Sequence, residues 1–349
     1  MEEQIPHKRR VRYKGTHPRK FSEKYKEHNP DKYADTVERV KQKGSTPAGM
    51  HISICVEEIL GFLDIKPGQK GLDATLGYGG HSTEMLKCLE GEGHLYALDV
   101  DPIERVKTKE RLRQRGFDED IVTVIGENFA NIDKVSNEYN TKFDFILADL
   151  GVSSMQIDNP ERGFTYKFDG PLDLRLDPSK GKSASERLKD ITYDELYGML
   201  IENADEVYAD EISKAIINKR KKGVKIETTT SLREIIEEAL SFLSPRDYDR
   251  AVKKACQRTF QALRIDVNSE FEVLEAFLES LPEVLKPNGK VAILTFHSGE
   301  DRLVKKSFKR FMSEGIYKEV ARDVIRPSED ECKRNGRAKC TKMRWAIRS

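Results

Sequence analysis

Three glycines and two acids in the first third of the chain have the types and spacing of a ligand site. Gly77, Gly79 and Gly80 follow a short apolar segment that contains Asp73, and a run of helical character comes after them. Glycines permit positive φ and let backbone N–H groups approach a ligand at the start of a helix. About twenty residues later a second predicted strand ends in Asp99, and an acid there can bind both hydroxyls of a ribose. The pattern indicates an adenosine-containing cofactor.

The order of the glycines helps to choose between cofactors. A dinucleotide site has the order G-x-G-x-x-G and places a pyrophosphate on the helix N-terminus, whereas this chain has Gly77-x-Gly79-Gly80. Asp73 would repel a pyrophosphate but could accept a hydrogen bond from an ammonium group. These residues favour S-adenosylmethionine (SAM) over NAD. A tight turn that binds no ligand stays open as an alternative at this point.

Two further predicted strands end at or just before polar or aromatic candidates, Phe129 and Asp149. Strands that alternate with helices predict an α/β fold with a parallel sheet covered on both faces. Ligands of such sheets bind beyond the carboxyl ends of the strands. We therefore expect Asp73, Asp99, Phe129 and Asp149 to share one edge of the sheet.

The alternation stops between about residues 157 and 256. Capping-box patterns at Ser183, Thr192 and Ser231, each with a glutamate three residues later, predict the starts of helices there. We interpret residues 157–256 as an inserted helical domain.

The strand pattern then returns. A helix is expected to start at Ser269, and buried or final strands are expected at residues 290–296, 317–320 and 343–347. The predicted domains are a basic, flexible N-terminal extension, 1–45, a sheet domain, 46–156 with 257–349, and the helical insert, 157–256.

Composition narrows the class of protein. Of the 349 residues, 35% are charged and 37% hydrophobic, which predicts a charge-rich surface around an ordinary core. No apolar run approaches the ~18–20 residues of a membrane span, and the N-terminus lacks the apolar region of a signal peptide. The five cysteines form no metal-knuckle spacing, so no metal site is expected, and their odd number suggests a reducing cytoplasm.

Because the net charge is only +1, any affinity for nucleic acid must come from local basic patches. The segment 1–43 mixes lysines and arginines with aromatic residues, which suits either RNA binding or a solubilising tail. The run 219–222 could contact phosphate, although a solvated helix end is the alternative. Between residues 302 and 349 basic residues outnumber acids by 15 to 6, which is typical of a nucleic-acid footprint.

Six strings then occur in a fixed order: 73–82 (DATLGYGGHS), 149–158 (DLGVSSMQID), 161–164 (ERGF), 169–175 (DGPLDLR), 258–265 (RTFQALRI) and 296–302 (FHSGEDR). Together they closely resemble the bacterial small-subunit ribosomal RNA cytosine-N4 methyltransferases of the RsmH (MraW) family, over about residues 51–344. The resemblance implies a class I SAM-dependent methyltransferase, a Rossmann-like, mostly parallel seven-stranded sheet with an inserted all-α domain for RNA recognition. It implies SAM as methyl donor and a cytidine in the decoding region of 16S rRNA as acceptor.

The glycine turn and the resemblance together give the candidate site residues. The resemblance implies that SAM is bound by Gly79, Gly80, His81, Asp99, Phe129, Asp149 and Gln156, and the glycine turn adds Asp73 and Gly77. The expected substrate-binding residues are Phe164, Tyr166, Arg175, Arg258, Gln261, Arg264, Ser298 and Arg302. The partner implied is the small ribosomal subunit, with no membrane association and a possible homodimer.

Two residues are candidates for accepting a proton from the target amine. Asp149 could accept an N4–H hydrogen bond or contact SAM only. His297 is the second candidate because an unperturbed imidazole titrates near 6.5, and its alternative is a hydrogen-bonded structural role. The Asp-Pro-Pro-Tyr clamp of many amino methyltransferases is missing after Asp149, so Phe164, Tyr166 or His297 could stack on the base instead.

This chain departs from the family pattern at three places. Residues 254–257 read KACQ where the family usually has HPAT, Gly299 replaces a larger apolar residue, and the segment 335–340 lacks a proline and a serine. Two other functions stay open as alternatives: a non-catalytic RNA-binding factor of ribosome assembly, and methylation of a different RNA cytidine. An NAD-dependent oxidoreductase is disfavoured by the order of the glycines.

Overall fold

The computed structural model describes residues 53–349, so the predicted N-terminal extension lies outside the described residues. The strands are β1 (Lys70–Asp73), β2 (His94–Leu98), β3 (Val122–Ile125), β4 (Phe143–Asp149), β5 (Leu285–Thr295), β6 (Tyr317–Val320) and β7 (Lys342–Arg348). The helices of the first half are α1 (Val56–Leu63), α2 (Gly80–Leu89), α3 (Pro102–Gln114), α4 (Ile132–Glu138) and α5 (Ser154–Asp158). The later helices are α6 (Ala184–Asp190), α7 (Tyr193–Ala204), α8 (Ala209–Lys221), α9 (Thr229–Ala239), α10 (Pro245–Asn268), α11 (Glu270–Val284), α12 (Ser298–Ser313) and α13 (Glu329–Arg334). Short 3₁₀ turns occupy Phe129–Asn131, Pro160–Arg162 and Gly336–Cys340.

Within residues 53–349 the strands form one seven-stranded sheet in the order β3-β2-β1-β4-β5-β7-β6. β1 to β5 are parallel, and β7 runs antiparallel between β5 and β6. This arrangement confirms the predicted α/β class and the class I methyltransferase fold. The strand order reverses between β1 and β4, and open α/β sheets bind ligands beyond the carboxyl ends of the strands at such a point.

Side chains of the central strand β4 alternate between two apolar layers. Ile146 and Ala148 face a layer to which α4, α11 and α12 contribute, while Phe145 and Leu147 face a layer formed with α1, α2 and α3. Alternate residues of a strand point to opposite faces, so a strand covered on both sides is apolar throughout. Because both faces of the sheet are covered, its carboxyl edge is where polar side chains can meet a ligand.

The helices from α6 to α10 bury a separate apolar cluster that draws on residues from Phe164 to Leu263. The capping boxes predicted at Ser183 and Thr192 are confirmed. The one predicted at Ser231 is wrong, because Thr228 is the N-cap of α9 and Ser231 is its third residue. Two hydroxyl residues three apart compete for the same helix start, and the earlier one prevails.

Helix α10 runs without a break through residue 256, where we placed the end of the insert. No glycine or proline follows Pro245 in this helix, so nothing in the sequence interrupts it. The division into domains and the role of the insert in RNA recognition stay predictions. Across residues 53–349, no helix combines the length and the apolar character that crossing a bilayer demands.

Candidate active site

The turn after β1 is held by the buried carboxylate of Asp73. Ser82 Oγ donates to Asp73 Oδ2 at 2.5 Å, and the backbone N–H of Thr75 donates to Oδ1 at 3.0 Å. Burial raises the pKa of Asp73, although these hydrogen bonds act to lower it. The side chain is 1% exposed, so its role in this structure is to hold the glycine turn. The contact that we expect between Asp73 and an ammonium group stays a prediction.

The glycine turn brings backbone close to α3. Gly79 has a φ of +78°, and a Cβ atom there would lie 2.7 Å from Cγ2 of Thr108. Thr108 Oγ1 in turn donates to the carbonyl of Gly77 at 2.6 Å. A side chain at position 79 would therefore be strained and would also push α3 away from the turn.

Asp99 lies just beyond β2, beside this turn. The N–H of Gly77 donates to its Oδ2 at 2.9 Å, and the N–H of Asp101 donates to its Oδ1 at 2.8 Å. Burial raises the pKa of Asp99 to about 7. Each oxygen keeps a second lone pair, and a carboxylate in this position can accept two hydroxyl groups.

Asp149 ends β4, next to the turn of β1. Its backbone N–H donates to Thr75 Oγ1 at 2.6 Å, which fixes the end of the strand. The Oδ1 atom is buried and has no hydrogen-bond partner among residues 53–349. Burial raises the pKa of Asp149 to about 6, with further contributions from the charges of Asp73 and Glu300, while His81 acts in the opposite direction.

His81, at the start of α2, faces the other oxygen of Asp149. Its Nε2 lies 2.9 Å from the carbonyl of Ile54, which only accepts, so Nε2 carries a proton. Its Nδ1 therefore faces Asp149 Oδ2, at 3.5 Å. Two lone pairs would repel at this distance, so a proton between Nδ1 and Oδ2 relieves the contact.

A buried network that the sequence analysis did not identify lies beside Asp99. Asp101 is fully buried and caps α3 by accepting from the N–H groups of its first turn. Its Oδ2 accepts from Gln156 Nε2 at 2.8 Å and from Arg162 Nη1 at 2.7 Å. The Asp-Pro pair at 101–102 signals the helix start, but the long-range partners leave no local signal.

Gln156 uses both ends of its amide within the protein. Its Nε2 reaches Asp101, and its Oε1 accepts from the N–H of Ser153 at 2.8 Å in the capping box of α5. The structure shows a positioning role for Gln156 between β4 and α3. The expected contact with SAM stays a prediction.

At the end of β5, His297 is the N-cap of α12. Its Nδ1 accepts from the N–H of Glu300 at 3.5 Å, and its Nε2 lies 3.1 Å from Glu300 Oε1. Glu300 Oε2 accepts from the N–H of Phe296 at 2.8 Å. Burial would raise the pKa of Glu300, but His297, the Phe296 N–H and Arg264 outweigh it and hold the pKa below its usual range.

The side chains of Glu270, His297 and Glu300 converge within 4.8 Å of one another, as metal ligands can. Arg264, however, binds both oxygens of Glu270 at 2.7 and 2.8 Å. The guanidinium supplies the positive charge that this cluster needs, and Arg264, expected to bind substrate, is held in this pair.

The aromatic candidates lie in two different places. Phe129 follows β3 and packs edge-on against Phe277, with ring centroids 5.2 Å apart. Phe164 is buried in the apolar cluster of the helical segment, and Tyr166 packs against Phe260 at 5.8 Å. The structure shows packing roles for Phe164 and Tyr166, and their stacking on a base stays a prediction.

The remaining substrate candidates differ in whether their side chains already have partners within the protein. Arg175 pairs with Asp173 at 2.7 Å, and Gln261 Nε2 donates to the carbonyl of Asn203 at 3.2 Å. Ser298 Oγ lies 3.4 Å from Asp205 Oδ2. Arg258 is half-buried and Arg302 is exposed.

Comparison with known proteins identifies the family. The family model described as the MraW methylase family matches residues 48–349. "Ribosomal RNA small subunit methyltransferase H 1" of Lachnoclostridium phytofermentans is 68% identical over 98% of this chain and 93% of its own length. The protein of the same name from Agathobacter rectalis is 63% identical over 100% of both chains. "Ribosomal RNA small subunit methyltransferase H" of Methylobacillus flagellatus is 35% identical over 86% of this chain and 94% of its own length. The chain therefore belongs to the MraW methylase family, and it is a class I methyltransferase whose cofactor is S-adenosylmethionine.

Proposed function

We propose that this protein methylates the exocyclic N4 of a specific cytidine in the decoding region of 16S rRNA, within the small ribosomal subunit. The relatives named above are small-subunit ribosomal RNA methyltransferases, which supports the RNA substrate. The observation that carries the proposal is the buried Oδ1 of Asp149 at the edge of the sheet, which has no hydrogen-bond partner among residues 53–349. A buried acceptor without a donor costs ~1–3 kcal/mol, and an amino group of the substrate would satisfy it.

The residues at the end of β2 fit the adenosine half of SAM. Asp99 holds a carboxylate at the strand end, and its pKa of about 7 reflects burial that hydroxyl donors would offset. The Gly77 N–H and the Asp101 N–H orient the two oxygens from the protein side. When it is bound, SAM supplies an electrophilic methyl carbon.

The amine of cytosine is a poor nucleophile because its lone pair is delocalised into the ring, and N4 must lose one proton during methylation. Asp149 is the proton acceptor that we infer, since Oδ1 is free and a pKa of about 6 leaves it mostly ionised at pH 7. The proton can then be shared between Asp149 Oδ2 and His81 Nδ1, which face each other. A general base acts best when its pKa lies near the working pH.

Orientation of the amine is the second contribution. Holding two reactants in line can supply roughly 7–11 kcal/mol of barrier reduction, so no strong base is required. The cytidine has to leave its stack to reach the sheet edge, at a cost of a few kcal/mol. Of the three aromatic candidates, Phe164 or Tyr166 is the one that we expect to stack on the extruded base, since His297 caps α12.

An alternative without catalysis is less consistent with the site. A factor that only binds RNA has no use for a carboxylate at the cofactor edge whose pKa is raised and whose buried Oδ1 has no partner among residues 53–349. The homodimer and the cytoplasmic location that we expect are separate predictions and do not enter this reasoning.

Mass mapping of 16S rRNA from cells with and without the gene tests the proposal. We expect one cytidine in the decoding region to lose a 14-dalton increment when the gene is deleted, a methyl replacing a hydrogen, and nuclease fragments to place it on the base. Purified protein and SAM should restore the increment on subunits from the deletion strain. Restoration at another nucleotide would contradict the assigned site, and no restoration on any RNA would contradict the function.

A further inference from the structure

The solvent-facing side of α10 has four basic residues in its first ten positions. Arg246, Arg250, Lys253 and Lys254 are all exposed and recur at intervals of three and four residues, which places them on one side of the helix. We refer to these four residues as the α10 cationic face. The opposite side of α10 packs into the apolar cluster of the helical segment.

The charges of the α10 cationic face are not used to stabilise the fold. Within residues 53–349, no carboxylate lies within ion-pair distance of any of the four. In helix α8, by contrast, Lys219 pairs with Glu238 at 2.5 Å and Arg220 donates to two carbonyls at the end of α6. Two residues of the run 219–222, a candidate phosphate patch in the sequence, therefore already have partners within the fold.

The inner end of α10 reaches the catalytic edge. Gln261 Nε2 contacts the carbonyl of Asn203 at the end of α7, and Asp205 of the same segment contacts Ser298 at the start of α12. Arg264 binds Glu270, which adjoins His297. From residue 246 to residue 261 the helix rises about 22 Å. The α10 cationic face thus continues toward the strand ends that hold Asp149.

We propose that the α10 cationic face binds the phosphate backbone of the RNA that flanks the target cytidine. This inference rests on the proposed function. Four cations on one helix side that have no ion-pair partner within residues 53–349 can attract phosphates and release counterions on binding, while the inner end of the helix stands at the reaction site. The face thereby guides the strand from the helical segment to the edge of the sheet.

Acids also lie along this side and reduce its charge. Asp247 and Asp249 are exposed and precede Arg250 and Lys253 by three and four residues, so the side carries four cations against two acids. Near the inner end, burial raises the pKa of Glu206, and the charge of Arg258 acts against that rise. The central turn of the face contains Arg250, Lys253 and Lys254 without an acid between them.

An exposed basic side of α12 provides a comparison of equal charge. Lys305, Lys306 and Lys309 are exposed there and also have no ion-pair partner within residues 53–349. They belong to the basic segment 302–349, so the comparison asks whether RNA phosphates contact α10 more than that segment. Helix α11, which packs against α12, exposes Glu272, while its Glu279 pairs with Arg310 at 2.5 Å. Because Glu272 reduces the field at the α12 side, we expect phosphate contacts to be fewer there.

The test compares two triple variants of the full chain, Arg250→Gln/Lys253→Gln/Lys254→Gln and Lys305→Gln/Lys306→Gln/Lys309→Gln. Binding to small ribosomal subunits from the gene-deletion strain is measured between about 50 and 500 mM salt. For three lost phosphate contacts, the slope of log affinity against log salt should fall by about 2 in the α10 variant. The α12 variant should keep a slope close to that of the wild type. SAM binding by calorimetry confirms that both variants are folded.

An unchanged slope in the α10 variant, or an equal fall in both variants, would overturn the inference. Methylation of the same subunits by the wild-type protein is assayed in parallel. If the wild type methylates the subunits and the α10 slope does not change, the proposed function stands and only this inference fails. If the wild type methylates no RNA, the proposed function fails, and the slopes still report whether the face binds RNA.

Discussion

The carboxyl ends of β4 and β5 lie side by side, and each ends at a titratable residue that the sequence offers as a proton acceptor. At β4, Asp149 keeps one buried oxygen without a partner, and its pKa is raised to about 6. Just beyond β5, His297 caps α12 and both of its ring nitrogens face Glu300, although Nε2, 3.1 Å from Glu300 Oε1, forms no hydrogen bond of good geometry within residues 53–349. The two ends therefore differ in one respect: Nε2 of His297 faces a carboxylate, whereas no donor within residues 53–349 satisfies Oδ1 of Asp149. Two candidate proton acceptors at neighbouring strand ends can therefore be ranked by the contacts that their polar atoms already make within the protein.

The end of β2 resembles the end of β4, because Asp99 can also accept further hydrogen bonds. Substitution of Asp99 is expected to have the largest effect of those considered, a loss of SAM affinity. Asp99→Ala removes a carboxylate that can accept two hydroxyl groups, and each hydrogen bond to a charged group contributes ~1.5–3 kcal/mol. We expect SAM affinity to fall at least about 100-fold in calorimetry. Asp133→Ala, which removes an exposed acid on α4, is the control and should bind SAM as the wild type does. Wild-type affinity in Asp99→Ala would place the cofactor elsewhere.

The second prediction sets the two strand ends directly against each other. Asp149→Asn keeps the shape of the side chain but removes the base, so turnover on saturating RNA should fall more than about tenfold. His297→Asn keeps a good N-cap residue, so its turnover should stay within about threefold of the wild type. Single-turnover methyl transfer with labelled SAM measures both. A larger loss in His297→Asn than in Asp149→Asn would reverse the assignment of the proton acceptor.

The third prediction concerns pH. Because Asp149 must be ionised to accept a proton, kcat/KM should decline as the pH falls through about 6. The charge of His81 lowers the pKa of Asp149, so His81→Gln should move the acid limb to higher pH and cost several-fold in activity near pH 6. The amide of glutamine can still donate to the carbonyl of Ile54. His94→Gln, at the opposite end of β2, is the control, and an acid limb that does not move in His81→Gln would exclude the shared proton.

Much of this comparison could be predicted from sequence because it depends on local patterns. Alternating strands and helices predicted the parallel sheet, and strand ends predicted that Asp73, Asp99 and Asp149 would share an edge. These predictions need only the chain direction and the apolar period. The contrast between Asp149 and His297 could not be predicted in this way.

The contacts that local patterns miss are those between residues far apart in the chain or at an unusual spacing. Asp101 binds Gln156 and Arg162, which are far along the chain, and no local pattern encodes such a pair. His297 and Glu300 form a capping box, but histidine is not among the residues usually expected at an N-cap, so its sequence position favours a catalytic role over a structural one. The error at Ser231 has the same origin, since Thr228 offered an equivalent cap one turn earlier.

The smallest expected effect tests the structural half of the comparison, the cap at the end of β5. His297→Ala removes the side chain that accepts at the start of α12, and loss of an N-cap costs about 0.5–2 kcal/mol of unfolding free energy. His297→Asn should recover most of that loss in urea denaturation. The folded pKa of Glu300 is depressed, so the stability that it contributes is present above its unfolded pKa and is lost as the pH falls. His297→Ala should therefore also flatten the decline in stability on acidification. If His297→Ala is as stable as the wild type at every pH, the cap does not hold α12, and the imidazole at β5 becomes available again for the chemistry that we assign to Asp149.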